Sequence, residues 1–269
     1  DGDGSSLELR DLPSDLSNPD SWVPSVSFHG SPGTNGSIAD RRVVINEVRS
    51  ADPGLDFIEL HNTTASPLEI GGWFLSDSKR VYRSYELPQK TLGGLGYFVI
   101  EESQFNTPPA NLITNYTGVA GSSPTTVKSS AHGLLTGDLI TIDGYNGFSK
   151  FNDSFEVVVI DQDSFMIDAT FLDNTAIKGN WQTGRPFGLN SGGNGDDIWL
   201  VETDSSGHPI SFVDQVKFAA AAPGTTLGRW PDGMGTGTLF TMTARTPENP
   251  NSGPALGPVL ISEIHYAPN

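Results

Sequence analysis

The 269 residues include no cysteine. Disulfide cross-links, thiol catalysis and cysteine metal sites are therefore excluded, and stability must come from a packed core. Cationic side chains are scarce, 15 Lys and Arg against 32 Asp and Glu, for a formal net charge of -17. Duplex nucleic acid is held chiefly by Lys and Arg on phosphates, so no nucleic-acid partner is expected of this surface. No apolar run approaches the roughly 20 residues of a membrane-spanning helix, and no signal-peptide pattern occurs. The signatures G-x-S-x-G, H-E-x-x-H and the P-loop are missing too. The five histidines, His29, His61, His132, His208 and His265, are dispersed without metal-type spacing. No catalytic residue is assigned, and the chain is not expected to be an enzyme.

What the chain does have is turn residues, 31 Gly and 19 Pro, spread along its length. Short β-prone runs lie between them. Val43–Val48 is apolar with a buried-strand pattern, and Phe57-Ile58-Glu59-Leu60-His61 alternates. Trp73-Phe74-Leu75, Tyr97-Phe98-Val99-Ile100, Ile198-Trp199-Leu200-Val201 and Ile210-Ser211-Phe212-Val213-Asp214 follow Gly- or Asp-rich turns. No stretch sustains a 3.6-residue period with caps. This pattern predicts an all-β chain, a sandwich of antiparallel sheets.

A repeat organises it. Val43-Val44-Ile45-Asn46-Glu47-Val48 returns as Val259-Leu260-Ile261-Ser262-Glu263-Ile264. The residues ahead of each copy correspond as well: Gly4-Ser5-Ser6-Leu7 then Ser31-Pro32-Gly33 parallels Gly224-Thr225-Thr226-Leu227 then Thr246-Pro247. An end signature precedes a start signature, twice over. With no initiator Met at Asp1, the expectation is an internal fragment holding the end of one module, a whole module and the start of a third. Any export signal would then lie upstream.

These residues carry a resemblance. Val44-Ile45-Asn46-Glu47-Val48, Asp56-Phe57-Ile58-Glu59-Leu60-His61-Asn62 and Gly71-Gly72-Trp73-Phe74-Leu75-Ser76-Asp77 occur in order. They are followed by Leu92–Ile100, Gly195-Asp196-Asp197-Ile198-Trp199-Leu200 and Arg245-Thr246-Pro247. Taken together the chain resembles the lamin tail domain family over roughly 39–105 and 186–253. The resemblance implies an immunoglobulin-like β-sandwich with a structural or binding role and no catalytic residues. It also implies a bacterial, repeated module of large exported proteins, sometimes beside hydrolase or nuclease domains. The nuclear lamin branch has been linked to DNA and chromatin, a role that the acidic charge here opposes.

Residues 111–185 interrupt the pattern. A structureless loop of that length is uncommon, so it should be a domain of its own. Its expected strands are Thr126–Lys128, Leu139–Ile142, Phe155–Ile160 and Ser164–Ile167. The string Ala131-His132-Gly133-Leu134-Leu135-Thr136-Gly137-Asp138, with Gly144, Asn152, Phe155-Glu156-Val157 and Asp161–Phe165, resembles a small β-barrel. That barrel is the first catalytic-cysteine half-domain of ubiquitin-activating enzymes, a half that carries none of the catalysis. The expected organisation is 1–38 as the end of a preceding module or linker, 39–110 and 186–253 as the two parts of the sandwich, and 111–185 as the inserted barrel. Residues 254–269 would begin a following module.

Candidate chemistry is sparse. Gly192-Gly193-Asn194-Gly195-Asp196-Asp197-Ile198-Trp199-Leu200 fits the calcium nonapeptide pattern, which makes Asp196 and Asp197 candidate ligands. That mechanism needs stacked copies; one is present, and the same residues read as a turn entering a strand. Asp161 and Asp163 offer Ca²⁺ two more carboxylates, but turns favour Asp for local backbone hydrogen bonds anyway, and a plain hairpin is the preferred reading. No cofactor or metal is assigned beyond these calcium candidates. Glu47 and Glu59 alternate with apolar residues on what reads as a solvated sheet face. Trp73 and Trp199 read as core, His132 as a turn residue, and Trp230 as a residue beside a turn.

The expectation is thus a non-catalytic structural or binding module of a large secreted or cell-surface protein. Its partners would be a protein or glycan ligand and the neighbouring modules of its own chain. The alternative is an accessory, targeting module of an exported hydrolase or nuclease whose catalytic domain lies elsewhere.

Overall fold

Alternation along the chain decides which faces pair. In a computed structural model, which describes residues 6–9, 17, 22–28, 30–32, 41–78, 81–147, 150–172, 174, 177–234 and 237–257, almost every regular element is a strand. A ribbon of β1 (Leu7–Leu9) and β2 (Trp22–Pro24) comes first. Next are β3 (Val43–Arg49), β4 (Phe57–Asn62), β5 (Leu68–Glu69), β6 (Phe74–Ser76), β7 (Tyr85–Glu86), β8 (Thr91–Leu92) and β9 (Tyr97–Glu101). A single helical turn, α1 (Glu102–Phe105), leads into the insert. The insert holds β10 (Asn111–Leu112), β11 (Asn115–Thr117), β12 (Thr125–Lys128), β13 (Leu139–Asp143), β14 (Ser154–Asp161), β15 (Ser164–Ile167) and β16 (Asn180–Thr183). The chain then returns through β17 (Asp196–Thr203), β18 (Pro209–Phe218), β19 (Leu227–Gly228) and β20 (Phe240–Thr241).

Two antiparallel sheets form the sandwich, ordered β18-β17-β6-β7 and β20-β19-β3-β4-β9. Their inner faces share one core: Val43, Ile45, Val48, Ile58, Leu60 and Ile100 from one sheet, Leu75, Ile198, Leu200 and Val216 from the other. Trp73 is buried in this core. Trp199 and Val201, one residue out of phase with Ile198 and Leu200, are buried on the opposite face of their sheet against Tyr82 and Phe212. The antiparallel sandwich read from the strand pattern is what the chain forms, with the immunoglobulin-like character that the resemblance implies.

The insert closes on itself. Its seven strands run β10-β16-β13-β14-β15-β12-β11, so the two end strands are consecutive in sequence. Only Ile113 and Thr114 separate them; Thr114 N–H and Oγ1 both donate to Lys128 O, and Ser129 Oγ donates to Leu112 O. The sheet is thereby curled into a small barrel around Tyr116, Phe151, Phe165 and Trp181, all buried. Trp181 Nε1–H, which would be costly to bury unpaired, donates to Ser129 Oγ at 2.8 Å.

One ion pair fixes the sandwich. β3 and β4 lose register between Ile45 and Glu47, and β19 pairs with β3 only at Val48 and Glu47. Beyond that point no described strand pairs with β3 on this side. Arg229 and Asp214 stand in for one. Ile45 N–H donates to Asp214 Oδ2 (2.7 Å), while Arg229 Nε donates to Ile45 O (2.8 Å). Arg229 N–H takes Asn46 O at 2.9 Å. The two side chains close the circuit, with Nη2 2.9 and 2.7 Å from the two Asp214 oxygens. Both are buried, Arg229 completely. Burial raises the Asp214 carboxyl, and Arg229 with the Ile45 amide pulls it back down.

Removing one partner of such a pair strands a buried charge. Arg229→Met is expected to cost about 3–5 kcal/mol of unfolding free energy, read as a lowered denaturant midpoint. Arg229→Lys keeps the charge without the planar fork and should fall between the two. Equal midpoints for wild type and Arg229→Met would contradict this role.

Candidate functional site

The outer face of the five-stranded sheet carries a concentration of acids. Ile58 and Leu60 turn inward, so Phe57, Glu59 and His61 turn outward, and Glu47 sits opposite Glu59 in register. The solvated face expected for the two glutamates is not what forms: both are fully buried. The alternation placed them correctly on the side away from the core, but the turn at Asp232 and the segment Thr246–Asn251 fold back over that side. Thr246 N–H lies 3.2 Å from each oxygen of Glu47, and Thr246 Oγ1 donates to Oε2 at 3.1 Å. Glu248 N–H donates to Glu59 Oε2 at 2.6 Å and Asn46 Nδ2 to Oε1 at 3.2 Å.

A third acid completes the cluster. Asp232 accepts from Asn46 Nδ2 (3.0 Å), Asn251 N–H (3.0 Å) and the Tyr97 hydroxyl. His61 stacks on Tyr97 with ring centroids 4.3 Å apart, and its Nε2 lies 3.9 Å from Asp232. Burial raises Glu59 to about 7, helped by Glu47 and Asp232. Burial also lowers His61, against the pull of Asp232, and raises the Tyr97 hydroxyl. A carboxyl near 7 is suited to general acid–base work when a substrate can reach it. Here Glu47, Glu59 and Asn46 have no exposed surface, and backbone amides occupy the carboxylates. The arrangement holds a loop on a sheet.

The open site lies elsewhere. A cleft of about 810 Å³ separates the sandwich from the barrel, lined by Tyr85, Glu86, Gln89, Gln104, Asp138 and Gln182 among others. Its walls are tied together. Arg83 donates to Gly137 O (2.8 Å) and to Glu156 Oε1 (2.7 Å), and Arg185 N–H donates to Ser84 O (2.8 Å). Gly184 packs so closely that a Cβ there would lie 2.1 Å from Ser84 O, at a φ of +71° that also favours glycine. With Arg83 committed to Glu156, the charge in the cleft is negative. Glu86 is raised by burial and by Asp138 across from it.

The calcium candidates fall in two separate places. Asp196 opens β17; its Oδ2 accepts Asn190 N–H and its Oδ1 accepts Asp197 N–H. Asp77 lies near enough to Asp196 to feel its charge and is raised to about 6, mainly by burial. Asp161 and Asp163 sit at the β14–β15 turn, where Asp161 accepts Asp163 N–H and Asp163 accepts Ala131 N–H. Among the described residues no group of three or more His, Asp or Glu side chains is arranged to hold a metal ion. His132 organises the neighbouring turn, accepting Leu134 N–H at Nδ1 and lying 2.8 Å from Asp161 O at Nε2. Trp230 is half exposed, with Gly253 against its ring. His29 and His265 lie outside the described residues, as does the second copy of the strand repeat, Val259–Ile264.

One family description, Lamin Tail Domain, matches residues 37–217. The chain belongs to the lamin tail domain family. That family is an immunoglobulin-like structural module and not a catalytic one. No curated protein matches the chain, and no solved structure does. The match runs through the barrel and stops at Lys217, ahead of Arg229, Asp232 and Thr246–Asn251. The lamin-tail sheet is thus covered by a segment that follows the matched residues. Sequence reasoning missed Asp232, Tyr97 and His61 as members of one cluster. The available signal was Asp232 in Trp230-Pro231-Asp232-Gly233, a turn whose carboxylate is bonded by residues distant in sequence.

Glu59 supplies a test of this lamin-tail loop. Its carboxyl is raised from 4.5 to about 7 in the folded chain, so the folded state holds the proton where the unfolded state has released it. Its contribution is full below about pH 4.5 and is lost as pH rises to about 7. Glu59→Gln should flatten that part of the stability profile, a difference on the order of 3 kcal/mol between the ends of the window. Denaturant melts at pH 4.5 and pH 7.5 measure it; parallel profiles for the two proteins would contradict the burial argument.

Proposed function

We propose that this chain is a non-catalytic binding and spacing module of a larger secreted or cell-surface protein, with its ligand seated in the cleft between sandwich and barrel. The observation that carries this reading is the division of polar groups between two places. Glu59, the carboxyl raised to about 7, is sealed with Glu47 beneath the Thr246–Asn251 segment. The accessible cleft instead presents neutral hydrogen-bonding side chains, Gln89, Gln104, Gln182 and Thr183, beside the ring of Tyr85. Planar amides and an aromatic edge suit recognition of hydroxyl-rich or amide ligands, and Glu86 and Asp138 disfavour anions. The family's structural character supports the same reading, as does the net charge of -17 for a module exposed to solvent.

Binding to arrays of neutral oligosaccharides and of peptides is the direct test. Retention of at least one class is expected, weakened about tenfold or more when Gln89→Ala and Gln182→Ala are combined. Turnover of any array ligand that disappears in Glu86→Gln or Glu59→Gln would instead make the module an enzyme.

A further inference from the structure

An uncovered strand edge is a template for further strands. In the sheet β18-β17-β6-β7 one such edge belongs to β18, and residues ahead of the sandwich cover it. Ser27 bridges Ser211 in antiparallel sense. Phe28 N–H donates to Ile210 O at 3.0 Å, and Phe212 N–H donates to Val26 O at 2.7 Å. The Phe28 ring seats against Phe212, with centroids 5.3 Å apart, and edge-on to Tyr82 at 5.6 Å. Val26–Phe28 thus adds a short bridged stretch to the β18 edge and closes the aromatic cluster over Trp199 and Val201.

The hairpin that delivers this strand has a counterpart further along the chain. β1 pairs with β2 through Leu7 opposite Pro24, and Ser25 N–H donates to Ser6 O at 2.7 Å. The closing hairpin of the sandwich, β19 with β20, sets Leu227 opposite Thr241, and Met242 N–H donates to Thr226 O at 2.9 Å. Ser6-Leu7 and Thr226-Leu227 are the residues that the sequence repeat aligns, so repeat and hydrogen bonds agree position by position. After the hairpin the two paths part. Thr243 N–H turns back to Gly253 O, whereas Val26–Phe28 runs out to β18.

From this we infer that the β18 edge, with the aromatic seat of Tyr82 and Phe212, is a docking site for the closing strand of a preceding lamin-tail module in the same polypeptide. Val26–Phe28 is that strand. Consecutive modules then share a sheet, and their relative orientation is set by backbone hydrogen bonds, as in other cases of strand addition.

Amide hydrogen exchange on the full 269-residue chain tests it. In the wild type the Phe212 and Phe28 amides should be protected. In Phe28→Ala, Phe212 protection should fall about tenfold or more while the β4 core amides keep theirs. Phe28→Leu, which keeps an apolar side chain, should lie between. A synthetic peptide of residues 22–32 added in excess to Phe28→Ala should restore Phe212 protection, and the same peptide carrying the alanine should not. Unchanged Phe212 protection in Phe28→Ala would overturn the proposal. So would a loss that the peptide fails to restore, since the strand would then be held by its tether alone.

Discussion

The sandwich depends on a substitution of side chains for backbone. Where β19 leaves β3, Arg229 and Asp214 supply the donor and the acceptor that a neighbouring strand would have offered to Ile45. A buried charge pair is weak support for stability in general, because desolvation offsets most of the Coulombic gain. This pair differs in also satisfying main-chain groups that have no ladder partner at the edge of β3. Fold and ion pair are therefore mutually dependent. The irregularity at Asn46 needs the charges, and the charges are tolerable because that irregularity gives them hydrogen bonds.

The same irregularity organises the outer face. Asn46, the extra residue in β3, is fully buried and bonds both Glu59 and Asp232 through its amide nitrogen. Its carbonyl receives Arg229 N–H and Asn251 Nδ2. One residue thus joins the ion pair on one side to the capped carboxylates on the other. The cap is built largely from main-chain amides, which require the segment to be in place before the acids are covered. Three acids are gathered on a sheet that gains no open pocket from them.

Much of the fold was legible in the sequence because strand alternation is local. Ile58, Leu60, Ile198 and Leu200 could be read as inward-facing from neighbours one and two residues away. The barrel was legible for the same reason, through runs such as Leu139–Ile142 and Ser164–Ile167. What stayed hidden depends on chain returning from far away. Alternation put Glu47 and Glu59 opposite the core but carried no information about Thr246–Asn251 arriving above them. Arg229 and Asp214 are single charged residues in unremarkable surroundings, and nothing local marks them as partners across the sandwich. The aromatic seat was hidden likewise, since Tyr82, Trp199, Phe212 and Phe28 come from four separate stretches.

The two points where the chain leaves and rejoins the sandwich are pinned together. Phe105 and Phe187 stack with centroids 4.9 Å apart, and Phe187 N–H donates to Phe105 O at 3.1 Å. β6 and β17, neighbours in one sheet, are separated along the chain by the whole barrel. For a folding chain that pairing requires closing a long, flexible loop, which is entropically slow. If the barrel condenses first around its own core, its ends are already near one another and the effective loop shrinks by the length of the insert. An insertion that looks like an interruption of the sandwich then acts as a clasp, shortening the search by which β6 finds β17.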